Sequence, residues 1–493
     1  MIPSQAKQAL QTVLGRDNFL TAEADLLCYA YDAANGFFLP EAVALPGSET
    51  EIAQILKLAN EHRFPVVPRG TGTGTTGGAL AVQGGLVVVT SRLNRILEMN
   101  ADNFVAVVEP GVITGRIKTE AAKLGLFYPP DPSSADFCTI GGNVAENAGG
   151  SAAVQYGVTR DYVLGLRVVL PTGEIIATGV RTAKGVVGYD LTRLLVGSEG
   201  TLGIITQIIL RLIPAPAARQ TLLVGFSDLK LATRTVARLL QARLAPSALE
   251  FLDRSSLACV RQWLPYELPA AIQALLLVEV DGHPNDVQER AAAVAALCRQ
   301  QQANLVLQAQ TPAEAAKLWQ ARKLLSPAAF KLKPHKLSED VVVPISLIPD
   351  LVAAIEDLAR KAGLLILCFG HAGDGNIHVN IMYDRHNPRE NEAARQVVGD
   401  IFALVRQLNG TLSGEHGVGI TKAAYLGLEL SEAAIALSLR LKKAFDPNNI
   451  MNPGKIFFPP PVPPDFRSLP GRGSDYQREP NGPATGGAAI PEK

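Results

Sequence analysis

Two short segments hold three of the seven histidines of this 493-residue chain. Phe369 to Asn380 reads FGHAGDGNIHVN and carries His371 and His378; Gly414 to Gly419 reads GEHGVG and carries Glu415 and His416. Two imidazoles and a carboxylate that converge make a site for a borderline divalent metal such as Zn, Mn or Fe. A further imidazole beside them can take a proton near neutral pH. A single histidine in such a place is ordinarily a satisfied loop or strand residue. The pointer to chemistry is a whole polar cluster built on glycine turns, where bulky groups are missing and a substrate can approach.

Those side chains need elements that bring them together. Asp374-Gly375 is a strong turn signal, and its flanks, LLILCF and IHVNIMY, are apolar and strand-like. The pattern predicts a hairpin that sets His371 and His378 close across a ladder, with His378 and Asn380 on one face by period-two alternation.

Composition bounds the rest. The length calls for two or three domains. Hydrophobic residues make up 47% and charged residues 19%, as in a well-packed globular enzyme. Lys+Arg and Asp+Glu balance at 46 each, so nothing attracts nucleic acid electrostatically. The five cysteines are scattered, with no CxxC pair, which argues for a reducing, cytoplasmic setting and against an iron–sulfur cluster in this chain. The N-terminus does not read as a signal peptide, and no apolar run is long enough to span a bilayer. From Pro459 the sequence turns rich in Pro and Gly, the composition of a disordered tail.

Three loops rich in small residues stand in the first half. Pro65 to Ala79 reads PVVPRGTGTGTTGGA. Gly72, Gly74 and Gly77 satisfy G-x-G-x-x-G, yet Gly84-Gly85 breaks any helix that should follow, and no acidic residue sits at a strand end about twenty positions on to hold a ribose. A Rossmann unit is therefore not expected, and the missing Lys-Ser/Thr excludes a P-loop. What remains is a Gly/Thr loop, Gly70-Thr71-Gly72-Thr73-Gly74, whose bare amides form an anion nest beside Arg69. Pro129 to Tyr156 and Val196 to Ile205 (VGSEGTLGII) supply two more such loops. Three backbones of this kind suit one flat, extended ligand.

The segments PRGTGTGTTGG, PPDPSS…IGGNVAENAGG and VGSEGTLGIITQIILRL resemble the FAD-binding domain of vanillyl-alcohol-oxidase type flavoproteins. FGHAGDGNIHVN, SGEHGVG and FDPNNIMNPGKIF narrow the likeness to the FAD-linked D-2-hydroxy-acid dehydrogenases, nearest to the glycolate oxidase catalytic subunits. The likeness spans about Pro40 to Phe458. It implies an α+β fold: a two-subdomain FAD-binding domain (40–215) after an N-terminal helical segment (1–39), an α+β cap with an antiparallel sheet (216–416), a segment returning to the FAD domain (417–458), and the tail (459–493).

The resemblance also assigns roles. Arg69 to Gly74 would hold the FAD pyrophosphate; Pro132, Ser133, Gly141, Gly142, Asn147 and Gly150 would line the adenosine and flavin side; Glu199, Gly200 and Ile205 would close the site, with Asn452 approaching the flavin. With no histidine between His62 and His283, FAD should be non-covalent. One helix around 313–332 would present Arg322 and Ser326 on one face, and with Lys336 they would grip the substrate carboxylate. KPHKLSED offers Lys333, His335 and Lys336 together, so the lysine is the least fixed of the three. His371, His378 and Glu415 would hold the metal, with Asn380 alongside; His416 would take the hydroxyl proton, and the carbon hydride would pass to flavin. The expected activity is oxidation of a small D-2-hydroxy acid, glycolate or D-lactate. Electrons would leave to an acceptor protein or a quinone, an iron–sulfur subunit being one candidate, which would also allow attachment to a membrane through a partner. The alternatives are an FAD enzyme of the same fold with different chemistry, or a non-catalytic FAD-binding subunit of an oxidase complex.

Overall fold

The structure, a computed structural model, describes residues 1–34 and 36–457; the expected tail lies outside the described residues. A four-stranded sheet comes first, in the order β1-β2-β4-β3: Phe19–Leu20 (β1), Ala42–Ala44 (β2), Val66–Arg69 (β3) and Leu86–Val89 (β4). β2 and β3 both run parallel to β4. The crossover between β2 and β3 is the helix Glu49–His62. It starts where the Ser48 side chain accepts from the Glu51 amide at 3.2 Å. Ile52, Ile55, Leu56 and Ala59, at helical spacing, are its buried stripe. As the sequence implied, no helix follows the Gly/Thr loop after β3; the chain bends through Gly70–Ala79 and re-enters the sheet as β4.

The second sheet is antiparallel: Ile96–Asn100 (β5), Val105–Val108 (β6), Val163–Val169 (β7), Ile175–Gly179 (β8) and Ile204–Arg211 (β9), in the order β5-β6-β9-β7-β8. The Pro129–Tyr156 and Val196–Ile205 loops open from this layer, and with the Gly/Thr loop they meet between the two sheets.

The third sheet has seven strands, all antiparallel: Ala218–Phe226 (β10), Ala248–Leu252 (β11), Ala274–Gly282 (β12), Leu305–Gln308 (β13), His335–Val342 (β14), Leu365–His371 (β15) and Asn376–Tyr383 (β16), in the order β13-β10-β12-β11-β15-β16-β14. Alternation gives it two different faces. Leu222, Val224, Val278, Val280, Val379 and Ile381 enter a core with the helices Leu229–Gln241, Pro284–Gln300, Ile348–Ala362 and Pro388–Gln407. On the other face, Leu223, Leu277, Phe369 and Met382 pack under short helices. The same face, by register, carries Glu250, His371, His378 and Asp340.

The single helix expected around 313–332 is two: Pro312–Lys323 and Leu325–Ala329. The cause is Pro327, whose ring cannot sit against the carbonyl four residues earlier, at Lys323. The chain therefore breaks at Leu324, between Arg322 and Ser326. After the third sheet the chain returns to the first: Met451 bridges Val66, and the Val66 amide donates to the Ile450 carbonyl at 2.8 Å.

Candidate active site

The hairpin forms as the sequence implies. β15 and β16 are joined through Ala372–Gly375, and Gly375 takes φ +85°, which a glycine accepts without strain. The ladder pairs His371 with Asn376 and His378 with Phe369, so the two histidines are diagonal neighbours. Their Nε2 atoms lie 3.3 Å apart. Glu415 arrives from the GEHGVG loop: its Oε1 is 3.3 Å from His371 Nε2 and 3.5 Å from His378 Nε2. These three atoms form a near-equilateral triangle. An ion with ligand bonds of about 2.0–2.2 Å spans triangle edges of roughly 3–3.5 Å, so the donor set fits one divalent metal.

The field at this triangle suits a cation. Burial opposes protonation of His371, yet the Glu250 and Glu415 carboxylates override it and hold its pKa well above the ordinary histidine range. Burial, then the positive charges of His371, Arg322 and His416, push His378 well below that range, so it stays neutral. A metal at this point would replace the proton on His371 Nε2. Glu250 sits behind, fully buried, in contact with His371 Nδ1 and 2.8 Å from Arg322 Nε. Burial alone would raise its pKa, but these two partners hold it at about 2.

Asp340 is the anchor of the GEHGVG loop. Its Oδ2 accepts the backbone amides of Gly414, Glu415 and His416 at 2.9, 2.9 and 3.0 Å. Asn376 donates to its Oδ1, and Lys422 Nζ lies 3.8 Å from Oδ2. Burial opposes its charge, but His416, Lys422 and His378 outweigh burial and hold its pKa well below the carboxylate range. Asp340, His378, Glu415 and His416 also place ligand atoms within 4.8 Å of one another, so an ion shifted from the triangle would still be among donors.

The His416 ring stacks on His378, centroids 5.4 Å apart at 16°. Its Nδ1 is buried with no partner among the described residues. Asn380 is buried on the site face and accepts from Ser338 Oγ at 2.9 Å. Of the three residues expected to hold a carboxylate, Lys336 donates to Ser326 Oγ at 3.2 Å. Arg322 is tied to Glu250, with its guanidinium 4.7 Å over the Phe369 ring.

One cavity runs from the glycine loops to this cluster. It is lined by Arg69, Gly70, Thr71, Gly72, Thr73 and Gly74, by Pro132, Ser133, Gly141 and Gly142, and by Glu199, Gly200 and Ile205; Glu415 and His416 form part of its wall. Asn147, Gly150 and Asn452 are not in that wall. Asn147 caps a short helix in the left-handed region and accepts from the Arg160 amide. Gly150, at φ +133°, leaves no room for a Cβ against the Asp131 carbonyl. Asn452 Nδ2 donates to the carbonyls of Gly78 and Glu199 at 2.9 and 2.8 Å.

The cavity fits a large polar cofactor. Arg69 Nη1, Thr75 Oγ1, Thr139 Oγ1 and Glu146 Oε2 are buried in its wall without partners among the described residues. Such groups are costly unless a ligand satisfies them. Glu199 accepts the amides of Val418 and Gly419, each at 2.7 Å, and so draws the GEHGVG loop onto the cavity. Gly417 makes the approach possible: a Cβ there would lie 2.4 Å from Glu146 Oε2.

Sequence reasoning missed Glu250, Asp340 and Glu146. For the first two a signal was present, since ALEFL and SEDVVVP each carry an acid inside an apolar strand.

Comparison with known proteins places this geometry. The model of an FAD binding domain matches residues 40–179, and that of the C-terminal domain of FAD-linked oxidases matches residues 215–456. The glycolate oxidase subunit GlcD of Bacillus subtilis (strain 168) is 45% identical over 93% of this chain and 97% of its own. A D-lactate dehydrogenase of Anaerostipes hadrus is 39% identical over 85% of this chain and 90% of its own. Among solved structures, p-cresol methylhydroxylase superposes with a TM-score of 0.78, over 92% of this chain and 96% of its own, at 19% identity; that likeness concerns the fold alone.

Proposed function

The chain belongs to the FAD-linked oxidases and has the FAD-binding fold of the vanillyl-alcohol-oxidase type, and from that premise we propose that it oxidises a small D-2-hydroxy acid, glycolate or D-lactate, to the 2-oxo acid. The carrying observation is the triangle of His371, His378 and Glu415, whose Glu415 corner and neighbour His416 belong to the wall of the glycine-loop cavity. The names of the two relatives support the substrate class.

Bound FAD supplies the hydride acceptor, and a divalent Zn, Mn or Fe ion held by His371, His378 and Glu415 supplies a Lewis acid that favours the alkoxide form of the substrate. Arg322 presents a guanidinium to the substrate carboxylate, with Ser326 and Lys336 on the other side of the helix break. His416 takes the hydroxyl proton at its ring. Asn380 and Ser338 keep the floor of the site polar. FAD is held without a covalent bond: among the described residues of the cavity wall, His416 is the one histidine and there is no cysteine. Reduced enzyme passes its electrons to a protein or quinone acceptor. The subunit status in the name of the Bacillus subtilis relative supports a protein, an iron–sulfur subunit among the candidates. No helix among the described residues is long and apolar enough to cross a membrane.

Anaerobic mixing with a panel of D- and L-hydroxy acids tests the reading. Glycolate or D-lactate should bleach the flavin absorbance within seconds, and L-lactate should not. An FAD-loaded protein that no 2-hydroxy acid bleaches would refute it.

A further inference from the structure

Glu250 serves two functional groups through its two oxygens. Oε1 faces His371 Nδ1, and Oε2 is 2.8 Å from Arg322 Nε. The carboxylate is fully buried on β11, which pairs Glu250 with His371 in the ladder, while Arg322 comes from a helix packed on the same face. A carboxylate accepts at both oxygens. It therefore holds a proton of His371 on Nδ1, so that Nε2, facing Glu415 and His378, is the nitrogen left to bind an ion, and at the same time it holds the guanidinium over Phe369 at one setting. The metal corner and the carboxylate clamp are thus joined by one side chain.

We infer that Glu250 is a positioning residue for both the metal ligand His371 and the substrate-binding Arg322, and that it sets the distance between metal and substrate carboxylate. The inference rests on the roles proposed above for these two residues. Its sharp consequence concerns the amide. In Glu250→Gln one end can only accept and the other can only donate. If the carbonyl serves His371, the amide NH₂ faces the Arg322 N–H; if it serves Arg322, the NH₂ faces His371 and favours the tautomer with its proton on Nε2. One of the two functions must suffer.

The test uses the FAD-loaded full chain, with Mn²⁺ affinity measured by electron paramagnetic resonance and KM for D-lactate or glycolate measured at saturating Mn²⁺. Glu250→Ala should weaken Mn²⁺ 10–100-fold and raise KM about tenfold or more. Glu250→Gln, close to isosteric and so the safer variant for folding, should impair one property and spare the other. A purely structural role would lower the melting temperature and FAD content with no such split. Wild-type Mn²⁺ affinity together with wild-type KM in Glu250→Gln overturns the inference. His371→Ala is measured alongside. If it binds Mn²⁺ as tightly as wild type, the metal site itself is wrong; if it loses Mn²⁺ while Glu250→Gln keeps both properties, the role of Glu250 alone is wrong.

Discussion

His416 differs from the other two site histidines in what surrounds its ring. His371 and His378 point their Nε2 atoms at Glu415 Oε1 from 3.3 and 3.5 Å, whereas His416 Nε2 is 4.0 Å away and its Nδ1 faces no partner among the described residues. The contrast is what supports the roles proposed for them, ligand for His371 and His378 and base for His416. His378→Ala should lose the metal, while His416→Ala should keep metal and FAD and slow flavin reduction by on the order of 10²–10⁴. Stopped-flow absorbance with metal analysis checks both; a His416→Ala protein that loses its ion while His378→Ala retains it would exchange the two roles. At this scale the sequence was legible wherever a residue type is rare and its neighbours are small. The histidines and Glu415 stood out against glycines, and the structure brings them together. Glu250 and Asp340 did not stand out, because an acid in an apolar strand betrays burial but not its partner. Their partners, His371 and the amides of Gly414 to His416, lie 121 and 74 to 76 residues away, and pairing over such a distance is set by strand order rather than by local pattern.

At the scale of elements, the two apolar runs either side of Asp374-Gly375 became neighbouring strands of the seven-stranded sheet, because alternation and turn residues agree there. The order of the other strands in that sheet was not legible, since nothing local says that β11 lies against β15. The helix around 313–332 was misread for a definite reason. Arg322 and Ser326 are four apart, as on one face of a helix, but the Pro327 ring interrupts the helix between them. Another element, the helix Arg254–Val260, carries a testable cost. Its N-cap is Asp253, whose Oδ1 accepts the Ser256 amide at 2.7 Å while Oδ2 is buried without a partner among the described residues. Burial dominates and pushes the Asp253 pKa from 3.8 up to about 7, against its hydrogen bonds. The fold therefore favours the protonated acid. That advantage is complete below about pH 4 and is lost as pH rises toward 7, where ionisation inside the fold costs up to about 4 kcal/mol. Asparagine caps equally well and carries no charge. Asp253→Asn should therefore raise the melting temperature at pH 8 and leave it nearly unchanged at pH 4. Equal shifts at both pH values would show that the carboxylate is not the cause.

At the scale of the molecule, the cofactor cavity and the metal triangle belong to different layers that meet at one loop. The wall around the cofactor comes from the first two sheets, and Glu415 and His416 enter it from the far side. Glu199 pulls their loop in through two amides, Asp340 holds it from the cap through three, and Tyr156 ties the layers again by donating to Asp281 at 2.9 Å. Because these ties run through backbone amides and side chains other than the ligands, the loop does not need an ion to keep its place. Two outcomes follow for the whole protein. Acid precipitation should leave all yellow colour in the supernatant, as befits a cavity wall that has, among the described residues, no cysteine and a single histidine; colour in the pellet would show a covalent flavin. Chelation should separate the two cofactors. The donors proposed for the ion sit on β15, β16 and the GEHGVG loop, while the polar atoms without partners among the described residues, which FAD would satisfy, sit on the glycine-loop side at Arg69, Thr75, Thr139 and Glu146. Dialysis against a chelator should therefore abolish substrate-dependent bleaching while the flavin spectrum and the FAD in the protein fraction stay as they were, and Zn²⁺ or Mn²⁺ should restore bleaching. FAD released in step with the metal would show that the triangle is part of the flavin's binding energy. Full bleaching in a protein shown to be metal-free would mean that His371, His378 and Glu415 act on the substrate directly, without an ion between them.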